Sequence, residues 1–281
     1  MTEIESTATN EERAPAGVDP AIPHVPRILD YLLGGTAHFA SDRAVAEQAF
    51  AAWPGEVGGV DGVRVDIREA RDSLRRIVGY LAGTAGIRQF LDFASGLPTM
   101  GNTHLAARAA APGCRTVYVD NDPRVVTHAQ HLLESEADNR TIFLEGDFRT
   151  PQDVLLRAAA ALDFTQPVAI VLYGMLHFLD DSEGPHKILD ELLAAVPSGS
   201  YVAVSHFAKD DEDTAMNATL DAMDKQMGER VVRRTRAEVE KFFDGMDIVE
   251  PGVVETYQWR PAPGADGPKP LPMWVGLARK R

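Results

Sequence analysis

Three carboxylates and a histidine stand at the ends of short apolar runs, where a side chain can meet a ligand instead of a core. Asp92 lies near the end of Gln89 to Phe93, Asp120 follows Thr116 to Val119, Asp147 follows Thr141 to Leu144, and His177 follows Val168 to Tyr173. The segment Phe90-Leu91-Asp92-Phe93-Ala94-Ser95-Gly96-Leu97-Pro98-Thr99 reads as a strand, a tight turn and a helix start, whose backbone N–H groups can face a ligand carboxylate or phosphate. Val117-Tyr118-Val119-Asp120-Asn121-Asp122 ends a second strand in an acid able to accept both ribose hydroxyls of an adenosine. Leu144-Glu145-Gly146-Asp147-Phe148 offers a carboxylate for an adenine amino group and a ring to cover the base. The plainer role for Asp147 is to cap the helix that begins near Pro151. The fourth run opens at Tyr173-Gly174 and places Met175, His177 and Phe178 above the sheet.

Imidazole titrates near neutrality, so His177 is the candidate general base; a structural histidine at the sheet edge is the alternative. Met175, Phe178, His206 just past the fifth run, and His38 near the N-terminus are candidates to border a second substrate. Both histidines also fit structural roles. His128 and His131 have helical spacing, but no third metal ligand stands near them, and no metal site is expected.

The elements that must position these groups follow from hydrophobic rhythm. The four runs above, with a fifth at Tyr201 to Ser205, alternate with helical segments at Thr99 to Ala111, Pro123 to Glu136, Gln152 to Ala161 and Glu183 to Val196. Parallel strands joined by crossover helices make an α/β, doubly wound sheet, whose ligands bind beyond the carboxyl ends of the strands. Residues 86–281 form this domain. Past the fifth strand, an acidic helical segment at Asp210 to Gly228 and a helix near Arg236 to Phe243 precede β-type runs at Met246 to Val254 and Met273 to Ala278.

Residues 1–22 are too poor in large apolar side chains to offset the entropy of ordering, and a disordered tail is expected there. Residues 23–85 read as a helical cap. Ile28, Leu29, Leu32 and Leu33 form an apolar face, Gly34-Gly35 stops that helix, and Ser41-Asp42 can cap a second. Ile67, Ala70, Leu74, Ile77, Val78 and Leu81 make the stripe of a third. Arg64, Arg68, Arg71 and Arg75 lie along one side of it and read as a solvated face paired with Asp61 and Asp72.

Composition narrows the partners. With 28 Lys and Arg against 42 Asp and Glu, a net charge of -14 repels nucleic acid and anionic membranes and favours a small-molecule substrate. One cysteine excludes an internal disulfide, and no apolar run approaches a membrane span. The N-terminus lacks the layout of a signal peptide, so a cytoplasmic protein is expected. The sequence assigns no oligomeric state.

Asp92 to Gly96, Asp120, Asp147 and the Leu176-His177-Phe178 run resemble the successive motifs of class I S-adenosylmethionine-dependent methyltransferases. With Arg27-Ile28-Leu29-Asp30-Tyr31-Leu32-Leu33-Gly34-Gly35, Leu97-Pro98-Thr99 and Tyr118-Val119-Asp120-Asn121-Asp122, the chain further resembles the bacterial, actinobacterial-type S-adenosyl methyltransferase family long catalogued as a domain of unknown function. The resemblance implies a Rossmann-like, seven-stranded sheet with an antiparallel hairpin at one edge. It implies S-adenosyl-L-methionine as cofactor and S-adenosyl-L-homocysteine as product, and it names no acceptor. By position, Asp92, Ala94, Gly96 and Pro98 would hold the methionine end, Asp120 the ribose, Asn121 the adenosine edge, and Asp147 with Phe148 the adenine. Tyr173 would border the cofactor at the fourth strand, and Tyr31, Gly34 and Gly35 would close it from the cap. The class usually has glycine where Ala94 stands, so a methyl group there either crowds the cofactor or is accommodated. Two other functions stay open: a protein that binds the cofactor without catalysis, and an NAD-dependent oxidoreductase. The oxidoreductase lacks the G-x-G-x-x-G that pyrophosphate needs after the first strand.

Overall fold

Parallel strands covered on both faces need apolar side chains on both, and the five runs supply them. The computed structural model describes residues 14, 18–54, 57–94, 96–97, 102–134, 139–209, 217–218, 220–221, 231–262 and 273–281. In it β1 (Gln89–Phe93), β2 (Arg115–Asp120), β3 (Thr141–Glu145), β4 (Ala169–Tyr173) and β5 (Tyr201–Phe207) lie parallel in the order β3-β2-β1-β4-β5. The chain builds outward from β1 to β3, then returns to lay β4 on the free side of β1. The order therefore reverses between β1 and β4, which is where such sheets bind ligands.

On the other side of β5, β8 (Met273–Arg279) runs antiparallel and pairs with β6 (Asp247–Ile248) and β7 (Val254–Glu255). The sheet thus has eight strands where seven were expected. The run Met246 to Val254 is divided at Pro251-Gly252, because proline has no N–H for a ladder and Gly252 turns the chain at φ 93°.

Eight helices are described: α1 (Val25–Leu33), α2 (Ala40–Ala49), α3 (Gly59–Gly83), α4 (Thr103–Ala110), α5 (Pro123–Glu134), α6 (Pro151–Ala158), α7 (Pro185–Ala194) and α8 (Arg236–Glu240). Residues from α6, α7 and α8 pack with Leu91, Phe93, Ile170, Leu172, Val202 and Val204 on one face of the sheet. Residues from α3 and α4 pack with Phe90, Val171, Ala203 and Leu277 on the other. Side chains alternate along a strand, so Asp92, Tyr173 and Ser205 fall on the α3 face, toward the cap. None of the described helices is long and apolar enough to cross a membrane.

The cap has its own core of Ile28, Leu32, Phe50, Trp53 and Val63, closed by Met273 and Phe207 of the sheet. Gly34 ends α1 at φ 84°, and a Cβ on Gly35 would stand 2.0 Å from Asp30 Oδ1. The Gly34-Gly35 pair is therefore a requirement of the turn. The N-cap of α2 is Phe39, not Ser41 or Asp42. Asp42 sits within the first turn and reaches back to accept from Phe39 N at 2.8 Å, while Ser41 Oγ donates to Pro20 O.

Residues 18–22, expected within the tail, are tied to the cap: Val18 is buried and Arg27 donates to the carbonyls of Asp19 and Ile22. The remainder of the expected tail, except Ala14, lies outside the described residues, as do Pro98 and most of Asp210 to Gly228. The C-terminal half of α3, from Leu74 to Leu81, packs on the sheet, so this helix joins the cap to the domain beneath it.

Candidate functional site

At the end of β1 the buried Asp92 accepts from Thr103 Oγ1 at 2.6 Å, which ties the strand to the first turn of α4. Burial pushes its carboxyl up to about 7, against the Thr103 hydrogen bond and the positive charge of Arg71. Ala94 and Gly96 follow in left-handed backbone at φ 53° and 65°, and Ala94 N donates to Val119 O at 2.7 Å. This is the conformation that favours glycine. Left-handed backbone costs alanine ~1–2 kcal/mol, while glycine's freedom in the unfolded chain costs ~0.4–1 kcal/mol. Ala94→Gly is expected to leave stability unchanged or raise it by up to about 1.5 kcal/mol in urea unfolding. A clear loss would mean that the Ala94 methyl contributes packing that outweighs its strain.

At the end of β2, Asp120 accepts from Asp122 N at 3.0 Å, and burial pushes it up to about 6. Asp92 and Asp120 both ionise later in the folded chain than in the unfolded one. Their burial therefore costs stability fully above about pH 7 and ceases to cost it below about pH 4. Asp122 behaves in the opposite sense. Although burial opposes it, hydrogen bonds from Arg124 and His24 hold this carboxyl below the ordinary range. His24 Nε2 lies 2.7 Å from Asp122 Oδ2, so the entrance to α1 is latched to the loop after β2. Pro26 lies over the β1 turn, 3.7 Å from where a Cβ on Gly96 would stand.

Beyond β3, Phe148 packs edge-on against Phe93, with ring centroids 5.4 Å apart. Asp147 Oδ1 accepts from Arg149 N at 2.8 Å, one step before α6, so this carboxylate shapes the loop as well as facing the ligand space. Beyond β4, the Tyr173 hydroxyl is hydrogen-bonded to Ser73 Oγ of α3. His177 follows in a short 3-10 turn, Leu176–Phe178, its ring 4.4 Å from that of Phe178 and 4.5 Å from that of Phe207. Burial, with His206 and Arg234 nearby, holds its imidazole neutral well below the usual pKa.

These strand ends line one cavity of about 730 Å³. Ala94, Gly96, Asp120, Asn121, Asp147 and Phe148 stand on its wall, and so do Tyr173, Met175, His177 and Phe178. Asp92 does not line it: that side chain is turned toward α3 and α4 behind the turn. From the cap come His24, Val25, Pro26, Ile28 and Leu29 of the α1 region, and Phe50, Trp53, Val63, Ile67 and Arg71.

Tyr31, Gly34 and Gly35, expected to close the cofactor, and His38, expected to border the second substrate, line a separate depression with Arg64 and Arg68. The helical repeat is the reason, since Tyr31 projects from the side of α1 away from Leu29. Its hydroxyl donates to Glu47 at 2.5 Å, and His38 Nδ1 lies 3.1 Å from Asp30 Oδ2. His206, expected to border the acceptor, stands fully buried outside the cavity wall. Its Nδ1 lies 3.0 Å from Phe207 O, Arg234 Nη1 lies 2.6 Å from its Nε2, and burial pushes it down to about 4.

A family model described as S-adenosyl methyltransferase matches residues 11–281. The chain belongs to this family. Among solved structures, a DUF574 family protein from Streptomyces avermitilis MA-4680 is 34% identical, with 92% of this chain and 98% of that one covered at a TM-score of 0.81. A candidate methyltransferase from Thermobifida fusca YX is 36% identical, with 95% and 98% covered at a TM-score of 0.82. The magnesium protoporphyrin IX methyltransferase of Synechocystis PCC 6803 with bound SAH shares the fold at 14% identity, 86% and 95% coverage and a TM-score of 0.53. The comparison with curated proteins gives no match. Family membership makes this chain a methyltransferase that uses S-adenosyl-L-methionine.

Two residues of the methyltransferase that organise the site carry no local sequence signal for that role. Arg71 has the same helical spacing as Arg64 and Arg75, which pair with Asp61 and Asp72 at the surface. Arg71 instead turns into the cavity beside Asp92, because the α3 face of the sheet carries that acid. Arg234 is buried just before α8 and donates to Leu176 O at 3.2 Å and Leu179 O at 3.1 Å, with Asp181 Oδ1 at 2.5 Å. It thereby fixes both sides of the turn that carries His177.

Proposed function

We propose that this methyltransferase transfers a methyl group to a small-molecule acceptor held between the cap and the strand ends. The observation that carries the reading is the single cavity that joins Ala94, Asp120 and Phe148 at one end to His177, Phe207 and Trp53 at the other. Its volume of about 730 Å³ is of the size of small-molecule sites. The donor and acceptor types at the first end fit an adenosyl cofactor: a strand-end carboxylate for vicinal hydroxyls, a polar Asn121 and Asp147 edge, and the Phe148 ring. When bound, S-adenosyl-L-methionine supplies a methyl group already activated on its sulfonium.

The residues then have distinct tasks. Asp120 accepts from the ribose hydroxyls, Asn121 meets the adenosine edge, and Asp147 with Phe148 holds the adenine. The Ala94 to Gly96 turn holds the methionine end, and Asp92 anchors that turn through Thr103. Pro26, Ile28 and Leu29 exclude water from above, so most of the rate comes from holding the two reactants together in a dry site. The neutral imidazole of His177 serves as base where the acceptor carries a proton. A cytoplasmic location accords with this reading.

Calorimetric titration tests it with S-adenosylmethionine, S-adenosylhomocysteine and NAD, against wild type and Asp120→Ala. Saturable binding of the adenosyl ligands is expected, weakened about 10- to 100-fold in the variant, because a carboxylate accepting two hydroxyls is lost. Affinity should also fall as pH is lowered through about 6, where Asp120 takes up its proton. Binding of NAD instead, or none of the adenosyl ligands, would overturn the reading.

A further inference from the structure

Nearly all buried polar atoms in native proteins have a hydrogen-bond partner, so those without one mark places where something else supplies it. Among the described residues, several buried side-chain atoms lack a partner, and only two belong to residues on the cavity wall: His177 Nδ1 and Ser205 Oγ. His177 is 3% exposed and Ser205 0%. Ser205 pairs with Tyr173 across β4 and β5, on the sheet face that looks toward the cap. His177 stands in the turn just beyond β4, with its ring against Phe207 of the same β5 strand.

The surroundings are apolar: Phe50, Trp53, Val63, Ile67, Phe207 and Met273 share this wall. The charged groups beside it have company of their own, since Asp66 accepts from Trp53 Nε1 at 2.7 Å and Arg71 lies beside Asp92. An acceptor for this end is therefore uncharged and largely apolar, with one small group that can both accept and donate. A hydroxyl does both.

Resting on the function proposed above, we infer that the acceptor is an aromatic or similarly apolar alcohol whose hydroxyl is clamped between Ser205 and His177, and that the methyltransferase makes an O-methyl ether. Ser205 Oγ donates to the acceptor oxygen, and the acceptor O–H donates to His177 Nδ1, the ring carrying its own proton on Nε2. Both atoms are buried in the structure, so the clamp requires rotation about χ1 of Ser205 and χ2 of His177 to present them to the cavity. In the transfer, a lone pair of the acceptor oxygen forms the new C–O bond as the S–CH3 bond breaks. The electron pair of that bond stays on sulfur, the hydroxyl proton passes to Nδ1, and His177 later releases it to water. The products are the methyl ether, S-adenosylhomocysteine and a proton.

The test uses 2-naphthol as probe, with naphthalene and 2-methoxynaphthalene as controls, titrated by equilibrium dialysis with and without S-adenosylhomocysteine. Wild type is expected to bind 2-naphthol about tenfold more tightly than either control, and Ser205→Ala and His177→Phe to lose that preference. The 15N resonance of His177 Nδ1 should move with 2-naphthol and not with naphthalene. S-adenosylhomocysteine affinity should stay within about twofold in both variants, which shows that they are folded. Equal affinity for naphthol and naphthalene, no binding of 2-naphthol, or an unmoved resonance would overturn the inference. Failure of S-adenosylhomocysteine to bind wild type would instead overturn the function on which it rests.

Discussion

Asp42→Ala is expected to lose about 3–5 kcal/mol of stability and, with it, the closed cap. Asp42 is fully buried, and three donors converge on it: Arg27 Nε at 2.9 Å, Phe39 N at 2.8 Å and His24 N at 2.9 Å. Arg27 is itself 3% exposed. Removing the carboxylate leaves a buried guanidinium without its counter-charge and two backbone amides without acceptors, the arrangement in which a buried pair costs most to break. Asp42→Asn keeps an acceptor oxygen while removing the charge, so its loss should be smaller. Urea unfolding gives the first quantity; the second is S-adenosylhomocysteine affinity, which should fall because His24, Val25, Pro26, Ile28 and Leu29 all line the cavity. A loss under about 1 kcal/mol would show that the cap is held by its apolar core and not by this pair.

Gln89 to Phe93 was readable to the residue as β1, because Phe90, Leu91 and Phe93 make a short β-type run that Gly96 closes. The carboxylates at the ends of β1 and β2 and beyond β3 followed from it, since a parallel sheet places its ligand at one end of all its strands. The cap was readable as helices but not in its orientation. Tyr31 and Leu29 belong to one amphipathic helix, and which of them meets the cavity depends on how α1 docks on α2 and α3. Arg71 was hidden among four arginines at helical spacing, and only the sheet face that carries Asp92 sets it apart. Arg234 and His206 are far from Leu176 in sequence, so their shared support of the His177 turn arises from tertiary contact alone. The divided edge strand differs: Met246 to Val249 and Val253 to Val254 have strand character, and Pro251-Gly252 between them breaks the ladder.

His177→Gln is expected to lower kcat by about 10²- to 10⁴-fold with an alcohol acceptor such as 2-naphthol, the usual contribution of a positioned base. The substitution keeps a side chain of similar reach, and the turn itself is held by its backbone: Val232 N donates to His177 O at 2.7 Å and Arg234 to the carbonyls of Leu176 and Leu179. A merely structural role would therefore leave the rate nearly intact. The pH profile separates the two roles further. Burial, then His206 and Arg234, hold the His177 imidazole neutral well below its usual pKa, so the wild-type base is already in its active form throughout the neutral range. Above about pH 7, where Asp92 and Asp120 are also ionised, the wild-type rate should be flat. Without a base, the reaction depends on acceptor that has already lost its proton, so the rate of the variant should rise about tenfold per pH unit toward the pKa of the alcohol. A variant that keeps both the wild-type rate and its flat profile would remove His177 from the chemistry.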